Sequence, residues 1–373
     1  MRLLLVNSLY SPRGGGGAER SAAELASSLI DDGHEVAVAT LGPPADGLSV
    51  SVEHVQGVQV FRWATSSYAS LDGAPVTPLD KVVWHAREEY RSEADRFLKR
   101  VVGCSRADVL HSNNIACFGP SRIEVAEQYP WVHALRGYNP ICSRTTRYRA
   151  PVSCDGICRK CQILTVRRRS APVPNLLVSV SSHIAGAHRR LGVWPTAPTA
   201  TVANQQVVVQ AVGRRVVSRI TTVGYIGAVD RKKGVDLLLD AFAMVDHLDL
   251  RLIGAGEVPD ELRDRARSLA PSSRVSFVGH VSIDHFLTQV DLVVVPSRWE
   301  EPFGRVAAEA ASTGFSVLVS DKSGFLRRSE VSRTLMSWPK TTRRRGRRRS
   351  RQRCNSGRIP ASAVSRDVER RQP

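Results

Sequence analysis

No stretch of the 373-residue sequence approaches the ~18 apolar residues that a membrane-spanning helix requires. The opening "MRLLLVNSLYSPRGG" also holds too short an apolar run for a secretory signal, and breaks at Tyr10-Ser11-Pro12. A cytoplasmic protein is therefore expected, and the reducing cytosol argues against reading its seven cysteines as a disulfide framework. G-x-G-x-x-G spacing is absent too, because Gly14 to Gly17 lie too far from the first strand, which excludes a dinucleotide fingerprint. The Arg block near the C-terminus lacks interleaved aromatics and any RNA-binding motif, so a nucleic-acid arm is disfavoured.

The length, with 42% hydrophobic and 24% charged residues, suits two globular domains, each with its own core. Charge is unevenly spread. Residues 326–373 hold 15 Arg and one Lys against three acids, a net +13 of the chain's +18. The basic character belongs to the tail, whose possible partners are nucleic acid or an anionic membrane surface at the inner face of the cell membrane.

"RLLLV" (2–6) and "EVAVAT" (35–40) read as buried strands flanking a helix over 18–33 that stops at Gly33. This βαβ unit predicts a parallel, doubly wound first sheet, continued by strands at 108–112 and 175–182. Between them lies an irregular Cys- and Arg-rich insert, roughly 138–172. Residues 195–218 lose periodicity, so a first domain over 1–200 and a linker over 201–218 are expected. From 219 to 325 the βα rhythm returns, with strands in "ITTVGYIG", "LDLRLIG", "RVSFVG", "VDLVVVP" and "FSVLVS". Helices are expected at about 233–246, 258–270, 282–289 and 302–313. Ligands of such sheets bind beyond the carboxyl ends of the strands.

"RWEEPFGRVAAEAASTG" sets Glu301 and Glu309 eight positions apart. A helix over 302–313 would start near Pro302 and offer its free N–H groups to an anion beside Phe303 and Gly304. Eight residues rise about 12 Å and return to within about 80° of one face, so both acids can look into one cleft. Carboxylates repel phosphate but accept from sugar and ribose hydroxyls, while Arg231, Lys232 and Lys233 lie in a carboxyl-end loop where a cation neutralises a departing diphosphate. Taken singly, each motif is equally a helix-dipole acid or a surface loop. Their coincidence at matching ends of one sheet favours a site.

"EPFGRVAAEA", "GAVDRKKGVDLLLDAF", "RLIGAGEVPDEL" and "VSFVGHV" resemble the retaining glycosyltransferases of family 4, and "GGGGAERSAAELASSLIDDGHEVAVAT" resembles their acceptor-side domain. The resemblance covers residues 1 to about 325 and implies two Rossmann-like domains facing a cleft, the GT-B arrangement. It implies that Glu301 bonds the donor sugar, Glu309 the ribose, and Lys233 the diphosphate, with Gly16, Gly17, Phe303 and Gly304 presenting backbone and Val278-Gly279 near the base. The implied substrates are a nucleotide sugar and a glycan or lipid-linked acceptor, with no metal required for catalysis.

The match departs at several places. Where the family usually has Arg, this chain has Ala228, with Arg231 or Lys232 as possible replacements. The family's His-x-His is here His111 and Asn113; Asn takes no proton, and His111 suits a strand-end core histidine as well as a catalytic one. Cys142, Cys154, Cys158 and Cys161, with His133 before them, could hold a structural zinc or remain reduced thiols.

After "SDKSGFL" apolar periodicity ends, as if the frame changed near Lys322. Residues 326–373 are expected to be disordered, leaving "FSVLVS" an unprotected edge, the second domain incomplete and activity impaired. The alternative is a non-catalytic remnant that binds through its basic tail.

Overall fold

The computed structural model describes residues 1–13, 16–43, 49–64, 77, 92–115, 118, 125–150, 152–204, 220–245, 251–256, 258–269, 274–322 and 335–337. They fall within one compact unit, Met1–Pro339. The rest of the linker and of the basic tail lies outside them. Among the described residues no helix is long and apolar enough to cross a membrane.

The first half opens with β1 (Arg2–Val6), α1 (Gly17–Asp31) and β2 (Glu35–Leu41), the predicted βαβ unit. Ala22 and Ala26 lie on the buried face of α1, where small side chains let the helix sit close on Leu5, Val38 and Val60. A hairpin follows, β3 (Ser49–Val55) and β4 (Val58–Ala64), turned by Gln56 and Gly57, both at positive φ. Then come α2 (Ser92–Ser105), β5 (Val109–Ser112), α3 (Val125–Gln128) and β6 (Trp131–Leu135). The insert is not irregular: it forms a two-stranded ribbon, β7 (Tyr148–Arg149) and β8 (Val152–Ser153), with helices α4 (Arg159–Leu164) and α5 (Val166–Arg169). β9 (Leu176–Ser179), α6 (Ser182–Arg190) and β10 (Thr199–Thr201) complete the half, so the sheet extends to the first residue of the expected linker.

The strand order is β10-β9-β6-β5-β1-β2-β4-β3, parallel except for the hairpin. The second half holds β11 (Thr222–Ile226), a 3-10 turn (Arg231–Lys233), α7 (Val235–Ala243), β12 (Arg251–Ala255), α8 (Asp260–Leu269), β13 (Val275–Gly279) and α9 (Ile283–Leu287). It ends with β14 (Leu292–Val295), α10 (Arg305–Ser312), β15 (Ser316–Val319) and β16 (Leu335–Ser337), in the parallel order β13-β12-β11-β14-β15-β16. "FSVLVS" is thus not the unprotected edge expected, because β16 pairs with β15; residues 335–337 are likewise a strand rather than disordered.

In each sheet the winding reverses once, between β1 and β5 and between β11 and β14. Such reversals leave a crevice beyond the strands' carboxyl ends, since the connecting helices depart to opposite faces. Both halves present this crevice to the same region, and one hydrophobic core runs from Leu4 and Val6 to Phe286, Phe303 and Val317.

The insert straps the halves together. Arg147 donates from Nη1 to Glu300 Oε2 (3.1 Å) and from Nη2 to the Cys154 carbonyl (2.6 Å), with its guanidinium over the Tyr138 ring. His183 Nε2 stands 3.5 Å from the same Glu300 oxygen, and Ser153 and Ser181 donate to the carbonyls of Arg298 and Pro302. The loop 298–302 is therefore gripped from the first half on either side of Glu301.

Besides His183, three histidines lie largely buried in the first half. Ser112 Oγ receives Trp131 Nε1–H and stands 2.7 Å from His133 Nδ1, while His188 Nδ1–H donates to the Ile184 carbonyl. Burial holds the pKa of His133 down to about 3, and those of His111 and His188 to about 4.

A histidine neutral in the folded state takes up its proton on unfolding once the pH falls below its ordinary value near 6.5, so the folded state is at full advantage above that pH. Stability should fall as the pH drops from about 6.5 towards 4, and His133→Phe should flatten the decline; a melting temperature unchanged over this window would contradict it. Arg147→Ala takes the guanidinium away from a largely buried Glu300 carboxylate, and should lower the melting temperature by about 5 °C or more. Replacing both partners with apolar residues should cost less than that single change.

Candidate active site

Gly227-Ala228-Val229 follow the β11 strand, and Asp230 then caps the 3-10 turn by accepting from Lys233 N (2.8 Å). Gly234 follows at φ 74, where a Cβ would stand 2.1 Å from the Pro296 carbonyl oxygen, so only glycine brings this turn so close to the end of β14. The approach delivers Lys233 Nζ to Glu301 Oε1 at 2.6 Å. Ser297 Oγ donates to the same oxygen (2.6 Å), and Trp299 presents its ring to the ammonium. Arg298 N donates to the Lys232 carbonyl, fastening the two loops backbone to backbone.

The helix after Glu301 starts later than its sequence suggests. Gly304, at φ 80 and ψ 58, is the N-cap, so Pro302 lies in the preceding turn rather than at the first helical position. The expected single-face geometry does not apply, because Glu301 precedes the helix. The two acids line adjoining cavities instead: Glu301 one of about 310 Å³, Glu309 one of about 900 Å³. Glu309, also buried, accepts from Arg305 Nε at 3.1 Å.

The first half supplies the opposite wall. Gly16 caps α1 and lines the larger cavity, while Gly17 lines both. Arg136, at the carboxyl end of β6, lines the smaller cavity and donates to the side-chain oxygens of Asn113 and Asn204. Burial, then the charge of Arg305, lowers its pKa to about 10, leaving it a cation at neutral pH.

The other sequence-predicted residues fall as follows. Phe303 and Gly304 line the smaller cavity with Glu301. Asn113 holds Arg136 and donates to the Ala18 carbonyl. His111 lines neither cavity; its Nδ1 is buried without a hydrogen-bond partner, and burial with the nearby Arg136 charge makes it a weak base. Gly279 ends β13 outside both cavities, while His280 and Val281 line the larger one. Arg231 pairs with Glu261 in solvent and lines neither.

The zinc expectation is corrected. Among the described residues no group of three or more His, Cys, Asp or Glu is placed to hold a metal. Cys142 Sγ accepts from Arg147 N, Cys161 Sγ lies against Ser143 Oγ, and Cys158 is exposed, so the four thiols do not converge as ligands. Burial, then its neighbours Cys158 and Cys161, raises the pKa of Cys154.

Sequence reasoning assigned no role to Arg136 and Arg305. Arg136 directly follows an apolar run, at a strand's carboxyl end, and that position was the available signal; Arg305 stood inside the quoted acid motif.

Two family models cover most of the chain: Glycosyltransferase Family 4 over residues 15–204 and Glycosyl transferases group 1 over residues 217–330. An uncharacterized 42.6 kDa protein in the cps region of Klebsiella pneumoniae is 29% identical over 90% of this chain and 88% of its own length. Among solved structures, sucrose-phosphate synthase from Thermosynechococcus elongatus superposes with a TM-score of 0.64 at 17% identity, covering 87% of this chain and 82% of that one. Anabaena HepE in complex with UDP-glucose superposes at 0.59 with 17% identity and the same coverage. With both halves matched and the paired-sheet architecture shared, the chain belongs to glycosyltransferase family 4, the group 1 glycosyl transferases, and has the GT-B fold.

Proposed function

We propose that the protein moves a sugar from a nucleotide-sugar donor to a hydroxyl of a glycan or lipid-linked acceptor, with retention of configuration at the anomeric carbon. The observation that carries this reading is the Lys233–Glu301 pair at the junction of the two cavities, with Glu309 in the larger one. The smaller cavity would take the sugar, where Glu301 accepts from its hydroxyls. The larger would take the nucleoside, with Glu309 on the ribose and the segment after Gly279 near the base.

In this reading the bond between the anomeric carbon and the diphosphate oxygen breaks as the acceptor oxygen bonds on the same face. Lys233 offsets the charge that accumulates on the departing diphosphate. His111 lines neither cavity and Asn113 cannot take a proton, so in this reading the acceptor's proton passes to the leaving phosphate oxygen. A relative from a cps region and a structural neighbour that holds UDP-glucose support this choice of substrate classes.

The test is a panel of UDP-, GDP- and ADP-sugars. One base class should raise the melting temperature, by an amount equivalent to about 2.7 kcal/mol at a hundredfold excess over Kd. Product anomeric configuration should match the donor's, and an inverted product would overturn the retaining mechanism. Glu309→Gln should weaken donor binding about tenfold or more while leaving acceptor KM unchanged.

A further inference from the structure

We infer that Arg305 is the second cation for the donor's diphosphate, and that it exchanges Glu309 for phosphate when the donor binds. The inference rests on the nucleotide-sugar reading above and assigns a residue which that reading leaves unused.

Among the described residues, Lys233 and Arg305 are the two charged ones that line both cavities. A ligand with its sugar in one cavity and its nucleoside in the other must place its linkage at the boundary they share. In a nucleotide sugar that linkage is a diphosphate, and one ammonium leaves much of its charge uncompensated. Ala228, which lines the larger cavity with Lys233, brings no charge. Of the other basic residues, Arg231 is engaged with Glu261 and Lys232 with Asp230, and neither reaches the cavities, while Arg136 lines the smaller cavity alone and Arg20 the larger alone.

Arg305 is built into the boundary. It is the first residue of α10, placed by the left-handed Gly304. Its Nη1 donates to the Gly17 carbonyl (3.1 Å) and Ser21 Oγ (2.9 Å), its Nη2 to Glu24 Oε1 (3.1 Å), and its Nε to Glu309 Oε1 (3.1 Å). A Cβ on Gly17 would stand 3.2 Å from Arg305 Cδ, so the small residue there makes room for this side chain. The guanidinium lies beside the N-terminus of α1, whose cap residue Gly16 offers no side-chain acceptor to the free N–H groups. An anion at this point meets the guanidinium itself, since the end of that helix already faces the Glu19 carboxylate lying against Gly16.

Four of the five guanidinium N–H groups are accounted for, which leaves one for a ligand. The bond most readily given up is the one to Glu309, because that carboxylate then becomes available for ribose hydroxyls. The contacts to α1 keep the guanidinium in place during the exchange.

The experiment compares nucleoside di- and monophosphates of the preferred base on the full chain by calorimetry. Arg305→Met should weaken diphosphate binding about tenfold or more and monophosphate binding by less than about threefold. Adding Ala228→Arg to that variant should restore much of the diphosphate affinity. Equal losses for both ligands, or no loss, would overturn the inference. If the unaltered protein binds no nucleoside diphosphate, the donor reading fails, and the role of Arg305 fails with it. Should Arg305→Met not fold, Arg305→Lys keeps the charge but loses the fork. It should still weaken diphosphate binding more than monophosphate binding, and an unchanged ratio would count against the proposal.

Discussion

The contact between Lys233 Nζ and Glu301 Oε1 is the constraint around which the second half is arranged. A carboxylate as buried as Glu301 is costly to remove from water unless a cation and further donors compensate. Lys233 and Ser297 do so, and the backbone is committed at both ends to bring them there. Gly234 permits a turn that any side chain would block, Asp230 fixes its start, and Lys322 accepts the Glu301 N–H from the segment after β15. The pair closes over the crevice between β11 and β14, so the sheet's reversal of winding becomes a binding site only because these loops are fastened.

The first half reaches that site through two separate grips. One is the Arg147–Glu300 contact, set one residue before the acid that matters, with His183 and Tyr138 behind it. The other is Arg305, whose partners Gly17, Ser21 and Glu24 all lie on α1. The Cys-rich insert therefore has a mechanical role that needs no metal: its backbone carbonyl at Cys154 and thiol at Cys142 orient Arg147. Cysteine spacing alone suggested ligands because spacing carries no information on which way a thiol points.

Much of the architecture was legible because parallel strands covered on both faces must be short continuous apolar runs, as at Leu3 to Val6 and Val293 to Val295. The hairpin β3–β4 was missed, although "SVSVEHVQGVQVFRWA" alternates and turns at Gln56-Gly57, because its outer strand is mostly exposed and polar. β6 lies between the strand expected at 108–112 and the insert and was not assigned, and with it the carboxyl-end position of Arg136 was missed. The acid pair stood out by its spacing around Pro-Phe-Gly, but its division between two cavities depends on Gly304 taking a left-handed conformation, which sequence does not state. Arg147 and Arg305 act across the two halves, and contacts of that range follow from sheet order rather than from neighbours in the chain.

The charge arrangement at the cavities differs from what the chain's +18 suggests, since +13 of it belongs to residues 326–373. At the boundary between the cavities, Lys233 is paired with Glu301 and Arg305 with Glu309. Each cation meets a carboxylate that the donor reading also needs for hydroxyls. An incoming diphosphate would then be held by charges already present but internally satisfied, and binding would convert two cation–acid pairs into two cation–phosphate contacts and two hydroxyl acceptors. Such pairing keeps Lys233 and Arg305 compensated beforehand, which limits the repulsion a bare pair of cations would impose on the fold. It also makes recognition conditional: a bare phosphate satisfies the cations but takes Arg305 from Glu309 and leaves Glu301 with Ser297 alone, whereas sugar, ribose and diphosphate together satisfy all four side chains.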